Sequence, residues 1–223
     1  MSLKETITLE CPSCGKKSPF TIRKSINTAE EPAMKQAVRD KSAFLFECPS
    51  CAGTAVVNSG TLLYQQPEEH WLIQYIADDE ATFDFVTQMQ NGTSPLQPFV
   101  DDHYLIRLVR SLNRLIEKLL IFDEGLDDRI MEIYKVIVLM DYTKKNPDIE
   151  NPELYFYKND EGEKRIHILV DNQDLCSTIF LPDMYRQLEE QFQPRLPDIN
   201  EDELQIDEQW AFRILLGETD DTE

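Results

Sequence analysis

Strict alternation opens the chain. Ile7 and Leu9 point one way and Thr6 and Thr8 the other, which is the period of a half-buried strand. Phe20 and Ile22 alternate with Thr21 and Arg23, so a second strand is expected to return beside the first. Thr28 and Glu31 stand at capping-box spacing, and Pro32 suits a first helical position with Glu31 as the cap. Either start predicts a short helix to about Lys41, with Ala33, Met34, Ala37 and Val38 as its apolar face. Phe44 to Phe46 and Thr54 to Val57 read as a second strand pair, and Thr61 to Tyr64 and His70 to Ile76 as two more strands.

From Asp78 the period changes to helical. Asp79 to Gln90 predicts a short helix, and Thr93 to Pro98 a loop with two prolines. Asp101 or Asp102 caps an expected long helix through about Phe122. Leu105, Leu108, Val109, Leu112, Leu115, Ile116 and Leu119 carry that expectation at helical spacing. Gly125 ends it. Asp127 starts a second helix to about Lys144, apolar almost all round from Ile130 to Met140 and therefore expected to be buried on most sides. The two form a helical hairpin.

After Asn146-Pro147 the chain returns to strands: Leu154 to Tyr157, Arg165 to Val170 across an Asn-Asp-Glu-Gly turn, and Leu175 to Leu181. Pro182 and Asp183 open a helix with Met184, Tyr185, Leu188 and Phe192 on one face, which Pro194 and Pro197 break. Asn200 and Glu203 have capping geometry for a last helix to Gly217 through Trp210, Ile214 and Leu215. Residues 218–223 are polar or acidic and expected to be disordered.

Cysteines sharpen this outline. Cys11-Pro12-Ser13-Cys14-Gly15 and Cys48-Pro49-Ser50-Cys51-Ala52-Gly53 share one wording, and each falls at the expected tip of a hairpin. Zinc takes four thiolates tetrahedrally, and a Cys-x-x-Cys turn aims two sulfurs at one ion. Cys11, Cys14, Cys48 and Cys51 thus make a closed set for one structural Zn2+. The helix expected near 29–41 explains the long separation between the two turns. Gly15 supplies the left-handed residue after its turn. Ala52 stands in the equivalent place, where that conformation costs about 1–2 kcal/mol, and Gly53 in a shifted turn is the alternative. Redox chemistry is the second reading, because Cys-Pro-x-Cys is also the wording of thioredoxin-like and glutaredoxin-like sites. Those put the first cysteine at a helix N-terminus, and neither pair here opens a helix. A pair of disulfides is the third.

The paired Cys-Pro-Ser-Cys motifs with a helical insert resemble the CpXC family. So does Ile121-Phe122-Asp123-Glu124-Gly125-Leu126-Asp127-Asp128-Arg129, followed by Glu132 and Lys135. The resemblance covers the turns through about residue 145 well and the remainder more loosely. It implies a bacterial or archaeal protein with a zinc-ribbon-like region, the four cysteines as ligands and no established activity. Ala52 departs from the family's Cys-Pro-x-Cys-Gly pattern.

Charge narrows the partners. The 223 residues carry a formal net charge of −20. Residues 1–64 hold 8 Lys/Arg and 6 Asp/Glu, and the rest hold 14 and 36. An acidic body repels phosphate backbones, so a nucleic-acid partner is not expected and a protein partner is. No apolar run reaches the roughly 20 residues of a membrane span, and the first residues lack a signal-peptide core. The expectation is a cytoplasmic protein, whose paired cysteines favour metal over disulfides.

The remaining chemistry is sparse. Cys176 reads as a buried, inert thiol, and His70, His103 and His167 are scattered on surface or half-buried positions. His103, Arg107, Arg110, Arg114 and Lys118 fall on one face of the expected long helix, as a basic stripe for an anionic partner or, more simply, as partners of the chain's own carboxylates such as Glu117. Asp123, Glu124, Asp127 and Asp128 crowd one turn. A divalent-cation site there competes with helix capping, which explains them better. Trp71 and Trp210 read as core. There is no glycine-rich phosphate loop and no Ser-His-Asp arrangement.

The expected fold is α+β: a zinc-ribbon-like N-terminal β region with an inserted helix, a central helical hairpin, and a C-terminal β-hairpin plus helices. Residues 1–145 form the CpXC-like part (ribbon 1–78, helical segment 79–145) and 146–223 the C-terminal α+β part. The expected role is a zinc-stabilised, non-enzymatic interaction or adaptor protein. A thiol–disulfide oxidoreductase or redox sensor is the alternative.

Overall fold

The computed structural model describes residues 2–159, 161–171, 173–200 and 203–217. The expected disorder of 218–223 lies outside them. Helix and strand are mixed in several small sheets, an α+β chain. Contacts divide it into two compact units, Met1–Ile116 and Glu117–Glu223.

In the first unit, strands β1 (Lys4–Glu10) and β2 (Lys17–Arg23) form an antiparallel hairpin in which Ile7 lies opposite Phe20. A short strand β3 (Ser25–Asn27) follows, then helix α1 (Met34–Arg39), then the hairpin of β4 (Leu45–Glu47) and β5 (Thr54–Val56). Strands β6 (Thr61–Gln66) and β7 (Trp71–Ile76) pair antiparallel. Helices α2 (Asp79–Gln90) and α3 (Gln97–Asp101) lead to β8 (Leu105–Val109). A four-stranded mixed sheet results, in the order β3-β6-β7-β8, with β3 parallel to β6 and β7 parallel to β8. A parallel pair needs a crossover. The second cysteine hairpin sits inside the one from β3 to β6. Leu62, Tyr64, Leu72, Ile73 and Tyr75 are fully buried on this sheet.

Three expectations fail in this unit. The helix over 29–41 shrinks to Met34–Arg39, and its N-cap Ala33 makes no side-chain cap. The carboxylate of Glu31 is drawn away to Lys4 and Arg23, and the Thr28 hydroxyl to Glu68. The prolines near 95–98 do not mark only a loop, since α3 starts with Pro98 in its first turn. The long helix from 101 does not exist. Residues 105–109 are a strand buried at every position, and helix α4 is only Leu112–Asp123. A parallel strand covered on both faces is a continuous apolar run. Leu105, Leu108 and Val109 matched a helical template by accident.

Helix α4 spans the division between the units. Glycine ends it as expected, with Gly125 at φ 67°. Helix α5 (Asp128–Lys145) begins on Asp127, whose carboxylate accepts the Arg129 N–H at 2.8 Å. Ile130, Met131, Ile133, Tyr134, Val136 and Leu139 are buried, as an all-round apolar helix requires. Strands β9 (Glu153–Lys158), β10 (Lys164–Val170) and β11 (Gln173–Ile179) make an antiparallel sheet in the order β11-β10-β9. A register shift lies at Ile168/Leu169. Helices α6 (Pro182–Phe192) and α7 (Glu208–Leu216) pack on α5. Phe180 stacks among Tyr134, Phe156 and Tyr185, and Trp210 is buried. The last helix starts later than Asn200 and Glu203 suggest. Its cap is Asp207, which accepts the Trp210 N–H at 3.0 Å.

Candidate metal centre

Each cysteine turn is locked by the same pair of backbone bonds. Cys11 N–H donates to Lys16 C=O and Gly15 N–H to Cys11 C=O, both at 2.9 Å. Cys48 N–H donates to Gly53 C=O and Ala52 N–H to Cys48 C=O, again at 2.9 Å. The two turns are therefore copies, with Ala52 in the place of Gly15. Gly15 has φ 71° and Ala52 has φ 57°. The shifted turn is excluded: Ala52 itself takes the left-handed conformation. Gly53 answers a different need. A Cβ there would stand 2.8 Å from Ser13 Oγ and 3.3 Å from Cys51 Sγ, so the second turn lies directly against the first.

That approach brings all four sulfurs within 4.8 Å of one another. Cys11 Sγ is 3.7 Å from Cys51 Sγ, and Cys14 Sγ is 3.7 Å from Cys48 Sγ. A disulfide needs about 2.05 Å, and all five cysteines are free. Tetrahedral bonds of about 2.3 Å from sulfur to zinc separate the sulfurs by about 3.8 Å, so the donor set fits such an ion. Cys11 and Cys48 are buried while Cys14 and Cys51 are exposed. Phe46 packs with the buried pair, beside Leu9, Phe20, Ala55 and Val57. Phe20 meets Phe46 edge-on at 5.7 Å.

The sulfurs are electrostatically unequal. Burial raises the Cys11 thiol, but backbone N–H groups of Cys14 and Ser13 and the thiols of Cys48 and Cys51 outweigh it, leaving Cys11 lowered to about 6. The Gly53 N–H favours thiolate at Cys51, yet its three sulfur neighbours oppose a further charge and raise it to about 12. Four thiolates this close need a cation among them to ionise together.

A family model described as CpXC protein matches residues 9–135. The chain belongs to the CpXC family. The match covers both cysteine turns of this CpXC protein and continues through most of α5's buried stretch. No curated protein and no solved structure gives a match. Among the described residues, the four cysteines are the one cluster of metal-ligating side chains close enough to share an ion.

The other predicted residues disperse. His103 lies in a left-handed turn at φ 56°. Arg107 is buried within β8. Arg110 reaches Asp79 and the Ala77 carbonyl, and Lys118 pairs with Asp128 and Glu132. A basic face of Arg107, Arg110 and Arg114 needed one continuous helix and is not formed, and the simpler reading holds for Arg110 and Lys118, which pair with the chain's own carboxylates. The acidic turn is consumed locally: Glu124 takes Lys158 and Lys164 at 2.7 and 2.9 Å, Asp127 takes Arg129, and Asp128 takes Lys118. Cys176, expected buried, is exposed on β11, which lies at the edge of its sheet. His70 and His103 are exposed and His167 half-buried.

Sequence reasoning missed a buried charge network in the second unit. Lys118, Glu117, Asp128, Glu132 and Lys135 are all at most 3% exposed. Lys135 Nζ binds Glu117 and Glu132 at 2.8 and 2.9 Å, and Glu117 accepts the Phe156 N–H at 2.7 Å. The signal was there, in charged residues on the faces of a helix too apolar to have a solvent side.

Proposed function

We propose that Cys11, Cys14, Cys48 and Cys51 hold one zinc ion, and that the chain is a cytoplasmic, non-enzymatic interaction protein whose N-terminal fold the ion stabilises. The carrying observation is that two matching turns supply four free sulfurs within 4.8 Å of one another. Four thiolates fill the coordination sphere and leave no position for a substrate. The strongly acidic body favours a protein partner over nucleic acid.

Metal analysis of protein purified under reducing conditions tests the first half. One zinc per chain, lost in a Cys11→Ser/Cys48→Ser variant, is the expected result. Metal-free protein with four freely titrating thiols in these positions overturns it. The redox reading has one feature in its favour: the backbone N–H groups of Cys14 and Ser13 favour the thiolate form of Cys11. That sulfur is buried, whereas an attacking thiolate must reach its target disulfide. Reduction of a model disulfide by metal-free protein, abolished by Cys11→Ser, would transfer the proposal to redox chemistry.

A further inference from the structure

We propose that the exposed face of α2, centred on Phe83, docks a lysine- and arginine-rich amphipathic segment of a partner protein. This rests on the interaction role above and gives it a surface and a chemistry. Thr82 is the sole buried residue of this 12-residue helix. A helix of that length is marginal by itself in water, and its cap on Asp78 replaces little of the packing that usually holds one. Phe83 is 71% exposed, more than any other large apolar side chain among the described residues. Val86, one turn on from Phe83, is half-exposed beside it, whereas Phe85 and Met89 lie toward the Thr82 side of the helix.

Charge decides the occupant. Residues 77–106 contain Asp78, Asp79, Glu80, Asp84, Asp101 and Asp102 and no lysine or arginine. Glu80 and Asp84 flank Phe83 at one turn before and one residue after, and both are exposed. A second copy of this chain would bring like charges together, at net −20 each. A basic amphipathic segment satisfies both halves of the surface. Its apolar side covers Phe83 and Val86, and its cations meet the carboxylates, with an arginine suited to the ring face.

The probe is a fluorescein-labelled amphipathic peptide of Lys-Leu-Leu-Arg repeats, titrated with the full chain by fluorescence anisotropy. Wild type is expected to bind. Phe83→Ser and the pair Glu80→Lys/Asp84→Lys should each weaken binding roughly ten-fold. The pair Asp148→Lys/Glu150→Lys makes the same charge change at exposed sites elsewhere and should change it less than about two-fold. Equal losses from both pairs would reduce the effect to the net charge of the chain and overturn the proposal. So would full binding by Phe83→Ser, or equal binding of a Glu-Leu-Leu-Glu peptide. A cell-extract capture separates this from the broader reading. A specific partner held equally by wild type and Phe83→Ser refutes the α2 site alone, and no specific partner for either refutes the interaction role with it.

Discussion

Glu117 and Lys135 meet at 2.8 Å with both side chains at most 4% exposed. They join α4 to α5, and the same carboxylate receives the backbone of β9 at Phe156. A buried pair is costly to desolvate and more costly to halve, because the survivor keeps its charge and loses its partner. Lys135→Met preserves length and apolar stem but strips the ammonium from Glu117 and Glu132 together. The expected loss is about 3–5 kcal/mol in urea denaturation. Lys145→Met removes an exposed pair with Asp141 from the same helix and should cost about 0.5 kcal/mol or less. Equal effects would contradict the burial of the network.

Ala52 holds φ 57° in a place where its twin turn has glycine. A left-handed alanine costs about 1–2 kcal/mol. Ala52→Gly removes that cost and adds chain entropy to the unfolded state. A net gain of about 0.5–1 kcal/mol is expected in thermal unfolding of the metal-loaded protein. Gly15→Ala should lose a similar amount from backbone strain alone, since nothing lies within 4 Å of a Cβ there. Gly53→Ala is a different test. Its Cβ would collide with Ser13, so it should weaken metal retention, read by the rate at which a zinc indicator captures the ion.

The cysteine hairpins were legible because strand alternation and the Cys-Pro-Ser-Cys wording agree at each one. The β9–β10 hairpin and α6 were legible for a similar reason: period and punctuation coincide. Where only one signal was present, the outcome turned on tertiary context. Leu105 to Val109 is set off from the helix behind it by Ser111 alone, whose hydroxyl accepts the Arg114 N–H at 3.1 Å; the helical spacing running across that serine hid the boundary, and pairing with β7 makes the run before it a strand. Ser25–Asn27 is too short for any period and exists as a strand because Leu63 to Gln65 lie alongside. Glu31 looked like a capping residue, but long-range cations claimed it. For the site, residue identity and pairing of the turns could be read. The difference between Cys11 and Cys51 could not, because it depends on which N–H groups and neighbours each one meets.

Glu124 provides a pH test in the second unit. Its carboxylate lies below the ordinary 4.5, first through the hydrogen bond from Lys158, then through Lys164. A lowered folded-state value contributes stability that is fully present above the unfolded value and is lost as pH falls through the folded one. Glu124→Gln should therefore be less stable than wild type near neutral pH. The gap should narrow as pH drops below about 4.5 and close in stronger acid. A gap that stays constant from pH 7 to pH 3 would show that the carboxylate's charge is not what ties Lys158 and Lys164 to this turn.

Metal removal distinguishes the two compact units. The β1–β2 and β4–β5 hairpins bring the four sulfurs together, and their own apolar support is small: Cys11, Phe46 and Cys48 with a half-buried fringe. Two-stranded hairpins are marginal in water without such a clamp. Where ligands assemble only in the folded state, binding energy becomes folding energy. Chelation should thus speed amide exchange at Cys11, Gly15, Cys48 and Ala52, whose N–H groups close the turns, and make Cys11 and Cys48 newly reactive to a thiol reagent. Strands β9 to β11 draw on a separate core at Leu154, Phe156, Ile166 and Ile168 and should keep their protection. Hydrogen exchange read by mass spectrometry, before and after chelation, gives both results at once. Uniform loss in both units would mean that the ion holds the whole chain, and no loss in either that the sulfurs need no ion to keep their places.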